Sequence, residues 1–304
     1  MQFEEIPIAG RGAEMLPGSP PEAVTSFDKF EAEYHSYLED EILTEKQRPA
    51  ISALELFKRP ALPVTSYVDG YVYAGSLNLV AGEPKAGKST LVWYICNAIA
   101  RGEQFLGTET RKANVLYVTE QNEVSFRQET AGISGFTTNP NIYILLPEAC
   151  PVGPWDSRIS FWGDRLTATN SNVLVIDTFG SFASLPPGGE NDSACVSERL
   201  MLLKQLYKSR TSLAIILVHH IRKPAVDPKN PDRVKAYADL RDARGSTAIV
   251  GTVDHCVMLS KEEQFDKVRN IHTEGRFGPE TFASIVLTDN GYANSNLSRS
   301  TFRR

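Results

Sequence analysis

Eight consecutive residues, Gly82-Glu83-Pro84-Lys85-Ala86-Gly87-Lys88-Ser89, fit the pattern G-x-x-x-x-G-K-[ST] at every fixed position, the signature of a loop that holds a nucleoside triphosphate. The chemistry follows from residue type. Glycines at 82 and 87 allow a tight turn in which successive backbone N–H groups face one anion, and a helix starting at Lys88 adds the positive end of its dipole. Lys88 reaches the β and γ phosphates, the Ser89 hydroxyl suits magnesium, and Thr90 continues the same first turn. Pro84 donates no N–H and shapes the loop. Residues 82–90 therefore predict ATP and Mg2+ as ligands.

Hydrolysis needs more than a phosphate cradle. The apolar run Val173 to Ile176 delivers Asp177 to a strand end, the position of a Walker B aspartate that holds magnesium through water. Val115 to Thr119 ends likewise in Glu120, a candidate general base, with Glu123 as its rival one helical turn on. Leu213 to Val218 ends in His219-His220, and His219 is the candidate γ-phosphate sensor. On the turn Glu274-Gly275-Arg276-Phe277-Gly278-Pro279, Arg276 is placed to act on the nucleotide of an adjacent subunit, and Arg244 is the second choice.

Between His220 and Gly245 lies a long connection rich in cations. Arg222, Lys223, Lys229 and Arg233 are the candidate contacts to a phosphodiester backbone, and Tyr237 offers a stacking surface. A solvated charged loop is the plainer alternative.

These residues have to be positioned by the chain around them. Short β-branched runs predict strands at 77–81, 115–119, 142–145, 173–176, 213–218, 256–259, 268–273 and 284–288, and helical spacing predicts helices at 88–100, 123–133, 158–167, 194–210 and 243–250. Alternation of the two implies an α/β fold, with a mainly parallel central sheet covered by helices on both faces and a C-terminal antiparallel hairpin. The domain reading is an acidic arm with one amphipathic helix over 1–50, a lead-in helix and linker over 51–72, the catalytic domain over 73–290 and a basic tail over 291–304. The arm's aromatic stripe, Phe27, Phe30, Tyr34, Tyr37, Leu38 and Ile42, is expected to pack on its own domain or on a neighbouring subunit. Ser52 and Glu55 form a capping box for the lead-in helix.

Bulk composition excludes several classes. With 304 residues, 41% hydrophobic and 23% charged, the chain reads as an ordinary soluble α/β protein, and no apolar stretch approaches the roughly 20 residues that span a bilayer. The acidic start MQFEEIPIAG lacks the features of a secretory signal, so a cytoplasmic location is expected. Cys96, Cys150, Cys195 and Cys256 have no metal-ligand spacing and read as free thiols. The net charge of −5 is concentrated in residues 1–50, where eleven acids face four bases.

The order of parts, G-x-P-x-x-G-K-S, strand-Glu120, strand-Asp177, strand-His219, basic loop and Gly-Arg-Phe-Gly-Pro, resembles the RecA-like core of the DnaB and RepA replicative helicases, over about Ser66 to Thr288. The resemblance implies a RecA-type P-loop NTPase that forms a ring, usually a hexamer, with ATP at each subunit interface. It also implies Glu120 as base, Arg276 acting in trans, central loops on single-stranded DNA, and replication or mobile-element proteins as partners, with no membrane. Two departures stand out: Glu274 occupies a place that is basic in DnaB-type hairpins, and the large N-terminal domain of DnaB is replaced by the acidic arm. The leading expectation is an ATP-dependent motor that translocates on single-stranded DNA and unwinds duplex. The alternatives are a recombinase-like, KaiC-like or repair-associated ATPase without unwinding, and a regulatory nucleotide-binding module with negligible turnover.

Overall fold

A computed structural model describes residues 50–58, 64–189, 192–208, 210–220, 246–261, 267–288 and 291–294. The chain divides into two units, Met1–Leu62 and Pro63–Arg304. In the first unit, helix α1 (Ala53–Lys58) opens on the expected capping box: Ser52 N–H donates to Glu55 Oε2 at 3.0 Å, and Glu55 N–H donates to Ser52 Oγ at 3.2 Å. None of the α1 residues is buried. The amphipathic segment at 27–42 lies outside the described residues.

The second unit begins with a small antiparallel ribbon, β1 (Ser66–Val68) and β2 (Val72–Tyr73), which the sequence periodicity does not indicate because each run is too short to show alternation. Then come β3 (Ser76–Gly82), α2 (Lys88–Arg101), β4 (Asn114–Thr119), α3 (Glu123–Thr130), β5 (Ile142–Leu145), α4 (Trp155–Ala168), β6 (Ser171–Asp177), the short α5 (Phe179–Phe182), α6 (Ser193–Lys208), β7 (Ala214–His220), α7 (Ser246–Thr252) and β8 (His255–Lys261). Last among the described residues come β9 (Val268–Gly275), β10 (Thr281–Thr288) and β11 (Gly291–Asn294).

Among the described residues nine strands form one sheet in the order β11-β10-β9-β8-β3-β7-β6-β4-β5. From β8 to β5 the pairings are parallel, and from β8 to β11 they are antiparallel. β3 sits between β7 and β8 and is buried along its whole length, which explains a run of seven residues with no solvent-facing position. One face of the sheet carries Leu77, Leu79, Leu217 and Met258 against Trp155, Trp162, Leu200 and Leu203 of α4 and α6. The other carries Val80, Val175, Ile216 and Val257 against Leu91, Ile95 and Ile99 of α2.

Several boundaries differ from the sequence reading. The helix expected to run to 133 stops at Thr130, whose hydroxyl donates back to the Phe126 carbonyl at 2.7 Å. The helix expected at 158 starts at Trp155, directly after Pro154. β11 pairs with β10, so the sheet continues into the first residues of the segment read as a tail. Parallel packing brings the carboxyl ends of β3, β4, β6 and β7 to one edge, where Gly82, Thr119, Asp177 and His220 end their strands.

Candidate nucleotide site

At that edge the chain leaves β3 and turns into α2. Gly82 lies so close to β8 that a Cβ there would come within 2.3 Å of the Leu259 carbonyl oxygen, and no side chain fits. Gly87 holds φ at 93° and Lys85 at 62°, two left-handed residues in one short turn. Gly87 caps α2 without a side-chain bond, so the first N–H groups of the helix face the loop. Glu83, Pro84 and Lys85 form the outer wall, and the Ala86 side chain is buried. Thr90 lies half-buried in the first turn of the helix. A turn of this shape can cradle an oxyanion, mainly through backbone donors.

Lys88 is nearly fully buried at the loop's base. Its Nζ donates to the Glu83 carbonyl at 2.9 Å and approaches His220 Nδ1 at 2.9 Å. Burial pushes the ammonium pKa down to about 8, against the opposing pull of the Asp177 and Glu83 charges. Ser89 hydrogen-bonds Asp177, which lies at the tip of the neighbouring β6. Asp177 also accepts from the Tyr117 hydroxyl at 2.6 Å. Burial raises the Asp177 pKa above the usual carboxylate range; the bonds from Tyr117 and Ser89 oppose that rise, and the Glu120 charge adds to it. The Tyr117 phenol is held well above its ordinary range, first by burial and then by the Asp177 charge, so it remains a donor. Ser89 and Asp177 thus already face each other with oxygen ligands of the hard type that magnesium takes.

Glu120 follows β4 and is exposed. Its backbone N–H donates to the Asp177 carbonyl at 2.9 Å, and its carboxylate accepts from Thr178 Oγ1 at 3.1 Å and from Ser181 Oγ. The peptide between Asp177 and Thr178 is cis. Glu123 turns elsewhere: it pairs with Arg127 at 2.8 Å along α3 and lines a cavity of about 470 Å³ with Phe126, Phe136 and Ile144.

The two histidines at the end of β7 separate, as successive strand residues must. His219 is buried, its ring 6.0 Å from that of Phe179, while His220 reaches Lys88 on the other face. Arg276 lies at the opposite edge of the sheet. β9 runs antiparallel to β8, so Gly275 pairs with His255 at the strand's start, and Arg276 Nη1 meets Asp254 Oδ1 at 3.0 Å. From Leu77 to Gly82 along β3 the separation of the two edges is about 17 Å at the usual strand rise. Arg222, Lys223, Lys229, Arg233, Tyr237 and Arg244 lie outside the described residues.

Four contributors to the site are not marked by the sequence. Tyr117 and His220 need the strand pairing to show which face they occupy. Arg269 of β9 donates from Nε to the Ala86 carbonyl at 2.7 Å, and a Cβ on Gly87 would come within 3.1 Å of the Tyr292 hydroxyl of β11. Both come from the antiparallel strands, far from the loop in sequence, and no local signal singles them out.

Known proteins point the same way. Residues 44–133 match a family described as an AAA domain, a span that takes in the loop, α2, Glu120 and Glu123. A solved KaiC-like protein from the hyperthermophilic archaeon Pyrococcus horikoshii is similar in fold, with a TM-score of 0.52 at 15% identity, covering 77% of this chain and 100% of that one. The fold is a RecA-type P-loop fold. No curated protein matches in sequence. Within this fold the loop follows β3, Asp177 ends β6, and the antiparallel strands β9 to β11 extend the sheet beyond β8. No helix among the described residues is long and apolar enough to cross a membrane.

Proposed function

We propose that the protein is an ATPase whose site is completed by a second copy of the chain, and that the copies assemble as a ring that moves on single-stranded DNA and unwinds duplex. The observation that carries the ATPase reading is the convergence of Lys88, Ser89, Asp177 and Glu120 on one sheet edge, beside a turn that glycine alone can make. Backbone N–H groups of the loop and the Lys88 ammonium bind the triphosphate. Lys88 gives up Glu83 and His220 in exchange for phosphate oxygens. Magnesium held by Ser89 and, through water, by Asp177 would neutralise charge on the β and γ oxygens. Glu120, steadied by Thr178 and Ser181, accepts the proton of the water that attacks the γ phosphorus, and ADP leaves. Arg276 lies at the opposite end of the strands from this chemistry, two strands over from β3, which supports a role on a neighbour's nucleotide.

The KaiC-like neighbour favours a second reading, an ATPase that assembles on nucleic acid or a protein partner without unwinding. ATP hydrolysis with and without single-stranded DNA, followed by strand displacement on a forked duplex, separates the two. Stimulation with displacement supports the motor; stimulation without displacement supports the second reading; no hydrolysis under either condition refutes both.

A further inference from the structure

Asp254 stands just before β8, at the edge away from the phosphate loop, with its side chain 7% exposed. Four donors converge on its carboxylate. Oδ2 accepts from the Leu77 N–H at 3.0 Å and from the Tyr207 hydroxyl at 3.2 Å; Oδ1 accepts from Lys204 Nζ at 3.3 Å and Arg276 Nη1 at 3.0 Å. Its backbone carbonyl accepts from the Arg276 N–H at 2.8 Å, and its own N–H donates to the Leu77 carbonyl at 3.0 Å. The donors belong to the root of the loop strand β3, to helix α6 and to the β9–β10 turn. A buried carboxylate tied to three elements is a fixed point of the fold.

Arg276 is held to that point twice, through its main chain and through one guanidinium nitrogen, yet its side chain is 61% exposed. An arginine on a glycine-flanked turn otherwise loses much rotamer freedom when it engages a partner, and a planar fork anchored at one nitrogen has already lost it. We propose that Asp254 is the positioning residue for Arg276: it fixes the guanidinium so that its exposed part is presented to a phosphate oxygen bound by a second copy of the chain. The inference rests on the reading of Arg276 as acting in trans.

Subunit mixing tests it with the full-length protein. K88A lacks its own phosphate contact but can supply Arg276; R276A lacks the arginine but keeps its own loop. D254N removes the charge that orients Arg276, and D254E keeps the charge while shifting the carboxylate by one methylene. Misplacement of a catalytic group by about 1 Å costs on the order of 10²-fold. The expected result is a loss of that order in kcat for both Asp254 variants, with the KM for ATP unchanged and far-UV circular dichroism as in wild type. Mixing either one with K88A restores hydrolysis above the sum of the separate proteins, and mixing it with R276A does not, because both defects lie on the donor surface. If R276A with K88A recovers but neither Asp254 variant does, Asp254 is a structural residue and the inference is wrong. If R276A with K88A fails to recover, the trans-acting reading of Arg276 falls and takes the inference with it.

Discussion

Replacing Tyr117 by Phe removes one oxygen from the middle of the candidate site and leaves the ring packing in place, since the ring stands 5.8 Å from that of Phe126. The lost contact is a 2.6 Å bond to a carboxylate that is 4% exposed. A hydrogen bond to a charged group contributes about 1.5–3 kcal/mol, and the buried acceptor left behind is not resolvated. At roughly 2–4 °C per kcal/mol for a domain of this size, Y117F should melt about 3–12 °C below wild type at pH 8. The sign with pH follows from linkage. The Tyr117 bond favours ionised Asp177, whose folded pKa burial has raised, so its contribution is present while Asp177 is charged and shrinks as pH falls through that pKa. Thermal unfolding of both proteins at pH 8 and pH 5 measures it. A melting difference within about 1 °C at pH 8, or one that grows on acidification, would show that the Tyr117 bond does not stabilise ionised Asp177.

Three further expectations follow from the same geometry. Gly82→Ala puts a Cβ 2.3 Å from the Leu259 oxygen, an overpacking cost of about 3 kcal/mol, whereas Gly132→Ala meets nothing within 4 Å; denaturant titration should show a lowered midpoint for the first and none for the second. The Lys88 pKa of about 8 means that the free protein loses this charge as pH rises through 8, while bound phosphate favours the ammonium, so ATP binding at pH 9 should take up close to one proton. Calorimetry in buffers of different ionisation enthalpy reads this directly, and proton release at pH 9 would contradict it. His219→Ala should lower the melting temperature through lost packing on Phe179 and leave kcat near wild type, and His220→Ala should do the reverse, if the histidine that reaches Lys88 is the one that senses phosphate; the opposite pattern in melting and steady-state assays would assign that role to His219.

The glycine turn before α2, the carboxylates at strand ends and the layered sheet are legible because each is written locally. A glycine pattern, an apolar run and the acid that follows it each occupy a short stretch of chain, and their meaning needs no partner strand. Contacts that join distant segments are not. Choosing His220 over His219 at Lys88 requires knowing which face of β7 meets α2, a fact of pairing and not of composition. Tyr117 looks like any core aromatic until Thr119 and Asp177 are set side by side on adjacent strands. The turn at Gly275 announced an arginine, but its anchor is Asp254, an acid that precedes β8 and carries no motif. Arg269 and Tyr292 reach the loop because three antiparallel strands fold back beside it, and the shortest, β11, lies in a segment whose sequence reads as tail.

In the proposed mechanism Glu120 is the base that activates water beside Lys88, Ser89 and Asp177, and the other steps depend on it. Steady-state and single-turnover hydrolysis by wild type, E120Q and E123Q, with nucleotide binding measured in parallel, tests that role most directly. Loss of a general base costs on the order of 10²–10⁴ in rate, so E120Q should bind ATP as wild type does and lose at least about 10²-fold in turnover, while E123Q retains it. Wild-type turnover in E120Q, or the same loss in E123Q alone, would rule out Glu120 as the base.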